Sequence, residues 1–176
     1  MAHRSCPESA VAPGDRAVRL RSVSVISDDG TCSATVDIRR PVILEIAYDV
    51  LQHGCVPVPN FHLYSEEGIC VFVTGDTDPE LSRRPKPIGS YVNRAIIPGN
   101  FLSEGTLIVD AAISTLDPAA VHAHEREAVA FQVIDSIEGD SMRGDYGGSL
   151  PGVVRPHLHW QTVSESGVPN TGDGHP

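Results

Sequence analysis

Apolar residues recur along the chain with a period of two, the alternation of strands that bury one face. The runs are Val18, Leu20, then Val23, Val25; Cys32, Ala34, Val36, Ile38; and Val42, Leu44, Ile46, Tyr48, Val50. Further runs are Phe61, Leu63; Ile69, Val71, Val73; Leu107, Val109, Ala111, Ile113; Val129, Phe131, Val133; and Val154, Leu158, Trp160. Turn chemistry separates them: Asp28-Asp29-Gly30, Arg40-Pro41, Glu66-Glu67-Gly68, Pro85-Lys86-Pro87, Pro98-Gly99-Asn100, Asp117-Pro118 and Gly147-Gly148. Short strands punctuated in this way predict an all-β, antiparallel sandwich of immunoglobulin-like or jelly-roll-like form. Helix is expected only as single turns, at Asp76 to Leu81, at Asn100 to Ser103, and after the Asp117-Pro118 pair. No βαβ alternation is present, which argues against a nucleotide-binding α/β fold. Residues 1–15 and 164–176 are rich in Pro, Gly, Ser and charge, so the folded unit is expected over 16–163 between a linker and a tail.

Composition narrows the function. A chain of 176 residues with 40% hydrophobic and 20% charged residues can bury a core without metal or disulfide. Its formal charge of −10 repels nucleic acid and anionic lipid, and the only basic cluster is Arg83-Arg84-Pro85-Lys86. The most apolar stretch, Pro41 to Leu51, is interrupted by Glu45 and Asp49, so no membrane span is expected. The first residues lack an apolar leader region, which makes the cytosol the expected compartment. There Cys6, Cys32, Cys55 and Cys70, with no CxxC, read as thiols.

Motifs for catalysis are sparse. GxxxxGK[ST], GxGxxG and GxSxG are absent. Gly139-Asp140-Ser141 has no downstream Asp-x-x-His to complete an esterase site, and Arg143-Gly144-Asp145 matches an adhesion tripeptide only by its three common residues. Glu66, Glu67, Asp76, Asp78, Asp140 and Asp145 could supply paired carboxylates, but all sit in turn-like segments that are acidic anyway. The eight histidines include two HxH pairs, His122-x-His124 and His157-x-His159. On adjacent strands these four could ligate a metal, as in a cupin-like enzyme. Against this, Glu125 and Glu127 have the wrong spacing for a cupin glutamate, and on a helical turn His122 and His124 would diverge.

Strand faces say more. With Phe61 and Leu63 inward, Asn60, His62 and Tyr64 share the outer face, and Gln132 lies outward between Phe131 and Val133. With Val154, Leu158 and Trp160 inward, Arg155, His157 and His159 face out. Amides, imidazoles and a guanidinium beside aromatic rings suit a hydroxyl-rich ligand, although polar outward residues are also the default for a sandwich.

The segments Gly144-Asp145-Tyr146-Gly147-Gly148, Pro151-Gly152-Val153-Val154-Arg155-Pro156 and Leu158-x-Trp160 resemble the closing signature of a known family. It is the C-terminal carbohydrate-binding domain of Wzt-type ATP-binding proteins, from ABC transporters that export O-antigen and related polysaccharides. Gly68 to Thr77, Ile97-Pro98-Gly99-Asn100-Phe101-Leu102-Ser103-Glu104-Gly105 and Phe131-x-Val133-x-Asp135 are similar to its middle and late strands, so the resemblance runs from about Val18 to Trp160. It implies an immunoglobulin-like sandwich that recognises the end of a lipid-linked polysaccharide at the cytosolic face of the inner membrane. It also implies a dimer that exchanges a terminal strand, and an ATPase partner whose Walker motifs this chain lacks. Glycan specificity does not carry over.

The expectation is therefore a non-catalytic glycan-binding dimer without cofactor. Its candidate contacts are Asn60, His62, Tyr64, Arg94, Gln132, Tyr146, Arg155, His157, His159 and Trp160. Trp160 reads as core by its phase with Leu158, and Tyr146, in a glycine-rich loop, as the exposed aromatic. A metal-dependent enzyme and a pure dimerisation domain are the alternatives. Few aromatics and a negative charge favour weak, hydrogen-bonded recognition of a neutral or cationic glycan end, reinforced by two sites per dimer.

Overall fold

The computed structural model describes residues 3–5, 13–78, 84–136 and 140–163 of the chain. Among the described residues nine strands are present: β1 (His3–Ser5), β2 (Val18–Ile26), β3 (Thr35–Asp37), β4 (Val42–Val50), β5 (Val58–Ser65), β6 (Cys70–Gly75), β7 (Gly89–Ile97), β8 (Gly105–Leu116) and β9 (Ala119–Ile134). They form a four-stranded sheet in the order β1-β2-β4-β7 and a five-stranded sheet in the order β3-β9-β8-β5-β6. Pairing is antiparallel except between β3 and β9. The expected all-β sandwich is thus observed, and among the described residues there is no helix.

The core lies between the sheets and is built by the alternating residues. Val42, Leu44, Ile46, Tyr48 and Val50 of β4 meet Phe61, Leu63, Val109, Ile113 and Phe131 of the other sheet, all essentially removed from water. On β2 the inward set passes from Val18 and Leu20 to Val23 and Val25, a change of parity. A β-bulge between Leu20 and Ser22 accounts for it, since one extra residue returns the later side chains to the core. Gly99 makes the tightest backbone approach among the described glycines. A Cβ there would lie 2.1 Å from the carbonyl oxygen of Arg39, so no other residue fits where the Pro98–Asn100 turn crosses the 38–40 loop. Asn100, at φ 56°, takes the left-handed conformation that asparagine tolerates, and its N–H donates to Ile38 O.

Five features differ from the sequence expectation. Asp117-Pro118 forms the turn of the β8–β9 hairpin and starts no helix, because residues 119–134 pair with β8. Asn100 to Ser103 makes a turn and an isolated bridge from Leu102 to Val154; Asp76 to Leu81 extends partly outside the described residues. β7 was not visible as an alternating run, and β1 lies within the expected linker. Residues 154–160 are not a strand of either sheet and keep no inward apolar face: Arg155 is buried at 3% exposure, while Leu158 and Trp160 are exposed, Trp160 at 85%, alongside His157 and His159. Arg155 turns inward because a carboxylate waits there.

Candidate functional site: a polar sheet face and an inter-sheet cleft

Asn60, His62 and Tyr64 stand on the outer face of β5, two residues apart, and the antiparallel register extends that face sideways. His62 lies opposite Val73 of β6 and Asp110 of β8; Tyr64 lies opposite Ile108. Gln132 of β9 is opposite Thr106 and exposed on the same face. Asn60 Nδ2 donates to Val58 O at 3.1 Å and to Ser114 Oγ at 3.3 Å, which fixes its amide. His124, considered in the sequence only as a metal ligand, joins this group: its ring centroid is 6.4 Å from that of His62, and its Nε2 is 3.7 Å from Asp110 Oδ2. Asp110 Oδ1 accepts the N–H of Glu127 at 2.8 Å. Glu127 sits at φ 49°, a left-handed conformation rare for its residue type, in a bulge where β9 carries extra residues opposite Asp110.

The remaining candidates go elsewhere. Arg94 is on β7, in the other sheet, with its Nε 2.7 Å from Glu45 Oε2. His122 is split from His124 by a β-bulge between Ile113 and Ser114; its ring hydrogen-bonds Asp15 and Thr115. Burial pushes the Asp15 carboxyl up, but the His122 ring and the amides of Ala17 and Val18 outweigh it and hold the carboxyl below its ordinary value. His157, His159 and Trp160 are exposed on the segment after Val154, and Tyr146 is exposed in the preceding loop. Among the described residues no three His, Cys, Asp or Glu side chains are grouped as metal ligands.

Arg155 has a structural position. Asp135, its side chain wholly buried, accepts from Arg143 Nε at 3.2 Å and Arg155 Nη1 at 3.3 Å through one oxygen. Arg143 also pairs with Glu104 and donates to Tyr146 O and Gly148 O, while Arg155 Nη2 donates to Leu150 O. This cluster binds residues 140–155 to the end of the five-stranded sheet.

A cleft of about 410 Å³ opens between the sheets where β6 and β7 form their free edges. Ile46, Phe61 and Ala95 line it together with Thr74, Asp76 and Asn93. Tyr48 donates its hydroxyl to Asn93 Oδ1 at 3.0 Å, and Asn93 Nδ2 donates to Asp76 Oδ2 at 2.6 Å. Burial, and secondarily the Asp76 charge, pushes the Tyr48 phenol well above its ordinary value, so it stays a donor.

A family model described as the Wzt C-terminal domain matches residues 9–147. The chain belongs to the Wzt C-terminal domain family. That family is associated with ABC transporters of polysaccharide export. A solved structure described as the crystal structure of the C-terminal domain of wzt superposes with a TM-score of 0.66 at 11% identity, covering 85% of this chain and 86% of that one. At such identity the likeness concerns the fold. No curated protein matches the sequence. In this Wzt C-terminal domain the Gly99 turn and the strand exit at Thr74 to Thr77 lie within the matched region. The Pro151 to Trp160 segment lies beyond it. Asp110, Asp76 and Asn93 are not among the contacts expected from the sequence; their signal is positional, since only strand register brings Asp110 beside His62 and Asn93 opposite Ile46.

Proposed function

We propose that this domain is a non-catalytic glycan-binding module that recognises the terminal part of a lipid-linked bacterial polysaccharide, O-antigen-like, for export by an ABC transporter. One observation carries the reading: the fold gathers Asn60, His62, Tyr64 and Gln132 on one sheet face and adds His124 and Asp110. Such a face offers donors, acceptors and the rims of aromatic rings to sugar hydroxyls, while exposed Val73 offers apolar contact to a ring face. The module acts at the cytosolic side of the inner membrane beside the transporter's ATPase and permease.

It works as a homodimer. Supporting this are the edge of β7, unpaired among the described residues, and the exposed Leu158, Trp160 and Val163 on the segment that follows the sandwich, a segment suited to exchange between protomers. Those same apolar residues support the second reading, a pure dimerisation module. The two separate in one experiment. On titration with polysaccharide fragments, the replacement of both His62 and Gln132 by Ala weakens binding by about tenfold, the size expected for two lost polar contacts of about 0.7 kcal/mol each, and leaves the dimer intact. Unchanged binding would remove the sheet face from the account.

A further inference from the structure

We propose that the recess at the end of β5, between the β5–β6 turn and residues 150–153, is a subsite for one sugar unit of the glycan, and that the unit it takes is a 6-deoxyhexose. This rests on the glycan-binding reading and adds to it where the chain runs beyond the sheet face and which sugar class is read there.

Position and size come first. The outer face of β5 runs from Asn60 through His62 to Tyr64, and the next residue, Ser65, lines a recess of about 490 Å³, within the usual range for small-molecule sites. A second contact joins face and recess, since Thr106 also lines it and stands opposite Gln132. At the ordinary strand rise His62 and Ser65 are about 10 Å apart along β5, so a glycan lying on His62 enters the recess within about two sugar units.

The walls are built before any ligand arrives. On one side Ser65 Oγ accepts the N–H of Ile69 at 3.3 Å, and its hydroxyl donates to Glu67, a bond that chiefly holds the Glu67 carboxyl below its ordinary value. Gly68, at φ 77°, closes that turn in a conformation glycine adopts freely. On the other side the 150–155 segment is tied down twice: Arg155 Nη2 donates to Leu150 O at 3.2 Å, and the Arg155 N–H donates to Phe101 O at 2.8 Å. The same guanidinium is anchored on buried Asp135. Groups held in place lose little freedom on binding.

The lining chooses the sugar. The aliphatic residues Ile69, Leu107, Leu150 and Val153 line the recess together with Thr106, which brings a hydroxyl, and Glu66, which brings a carboxylate acceptor. An ordinary hexose carries a hydroxymethyl group on its ring. Buried against aliphatic side chains, that hydroxyl loses its water and is offered no partner by them. A methyl group in its place removes the cost and adds apolar burial, while the ring hydroxyls still meet Thr106 and Glu66.

The test uses the full 176-residue chain, isotope-labelled for amide NMR, and matched pairs of methyl glycosides: L-fucoside with L-galactoside, and L-rhamnoside with L-mannoside. The members of each pair differ only in a methyl or a hydroxymethyl group on the ring. At least one deoxy sugar should shift the amides of Thr106, Leu107, Leu150 and Val153 and bind about fourfold more tightly than its parent, the factor expected for one buried methyl group. Leu150→Ala thins the aliphatic wall and should bring that ratio to within about twofold; Val153→Ala makes the same test if the first variant does not fold. Parent hexoses bound as tightly as the deoxy sugars, or a ratio unchanged by these variants, would overturn the subsite. Polysaccharide fragments containing 6-deoxyhexose that shift only the sheet face also overturn it while leaving the glycan-binding reading standing. A deoxy sugar that shifts the recess when no polysaccharide binds supports the subsite and overturns that reading; silence from every sugar overturns both.

Discussion

Single residues in this domain carry consequences that composition does not announce. Asp37, at the end of β3, accepts the N–H and the guanidinium Nε of Arg39 at 2.9 and 2.8 Å, and the side-chain hydrogen bond chiefly holds its carboxyl down at about 2 against an ordinary 3.8. A carboxyl depressed on folding gives stability that is complete above its unfolded value and is lost as pH falls through the folded one. The Asp37 contribution should thus be present above about pH 4 and vanish toward pH 2, and about 1 kcal/mol is expected after discounting for its partial exposure. Chemical denaturation of Asp37→Asn should show that deficit at pH 7 and converge with the parent chain near pH 2; a deficit independent of pH would contradict the assignment. The local pair Asp37-x-Arg39 is readable in the sequence. That Asp135 takes two buried arginines, 8 and 20 residues away, is not, because only the folded chain brings them together.

Elements were legible where one face is buried and the other wet. β4 and β8 alternate cleanly, and even the bulge of β2 shows as a slip in parity between Leu20 and Val23. β7 was lost because its inward positions include Asn93 and Ala95 while its outward ones include Val92 and Ile96, which blurs the pattern. The 154–160 segment failed in the opposite way: Val154, Leu158 and Trp160 have the spacing of a buried face, yet the paired charge of Arg155 takes the interior. That pairing gives the segment its energetics. Asp135→Ala removes the buried carboxylate that both guanidiniums share and leaves them only the partly exposed Glu104, and breaking a buried ion pair from one side costs about 3–5 kcal/mol. Denaturant unfolding should show a loss of this size, with loosened amide protection across residues 140–155. A loss below about 1 kcal/mol would mean that the cluster does not hold this segment.

At the scale of the whole molecule, sandwich and family were both within reach of the sequence, and four candidate contacts, Asn60, His62, Tyr64 and Gln132, lie on one face as its alternation required. The histidine pairs did not form one site, since a bulge turned His122 toward Asp15 and His124 toward Asp110. The inter-sheet cleft was invisible beforehand because it belongs to no strand; it exists where two sheets leave their edges open. Under the proposed function, a negatively charged domain with few aromatic side chains would read glycans by hydrogen bonds, and weak single sites would gain from being doubled in a dimer. The central claim is glycan recognition, and calorimetric titration of the full chain against a panel of bacterial polysaccharides, with its oligomeric state measured in parallel, tests it most directly. The account predicts saturable binding of at least one polysaccharide, at micromolar to millimolar affinity, by a dimer. A dimer that binds none of them up to millimolar concentration would contradict it and leave a dimerisation module in its place.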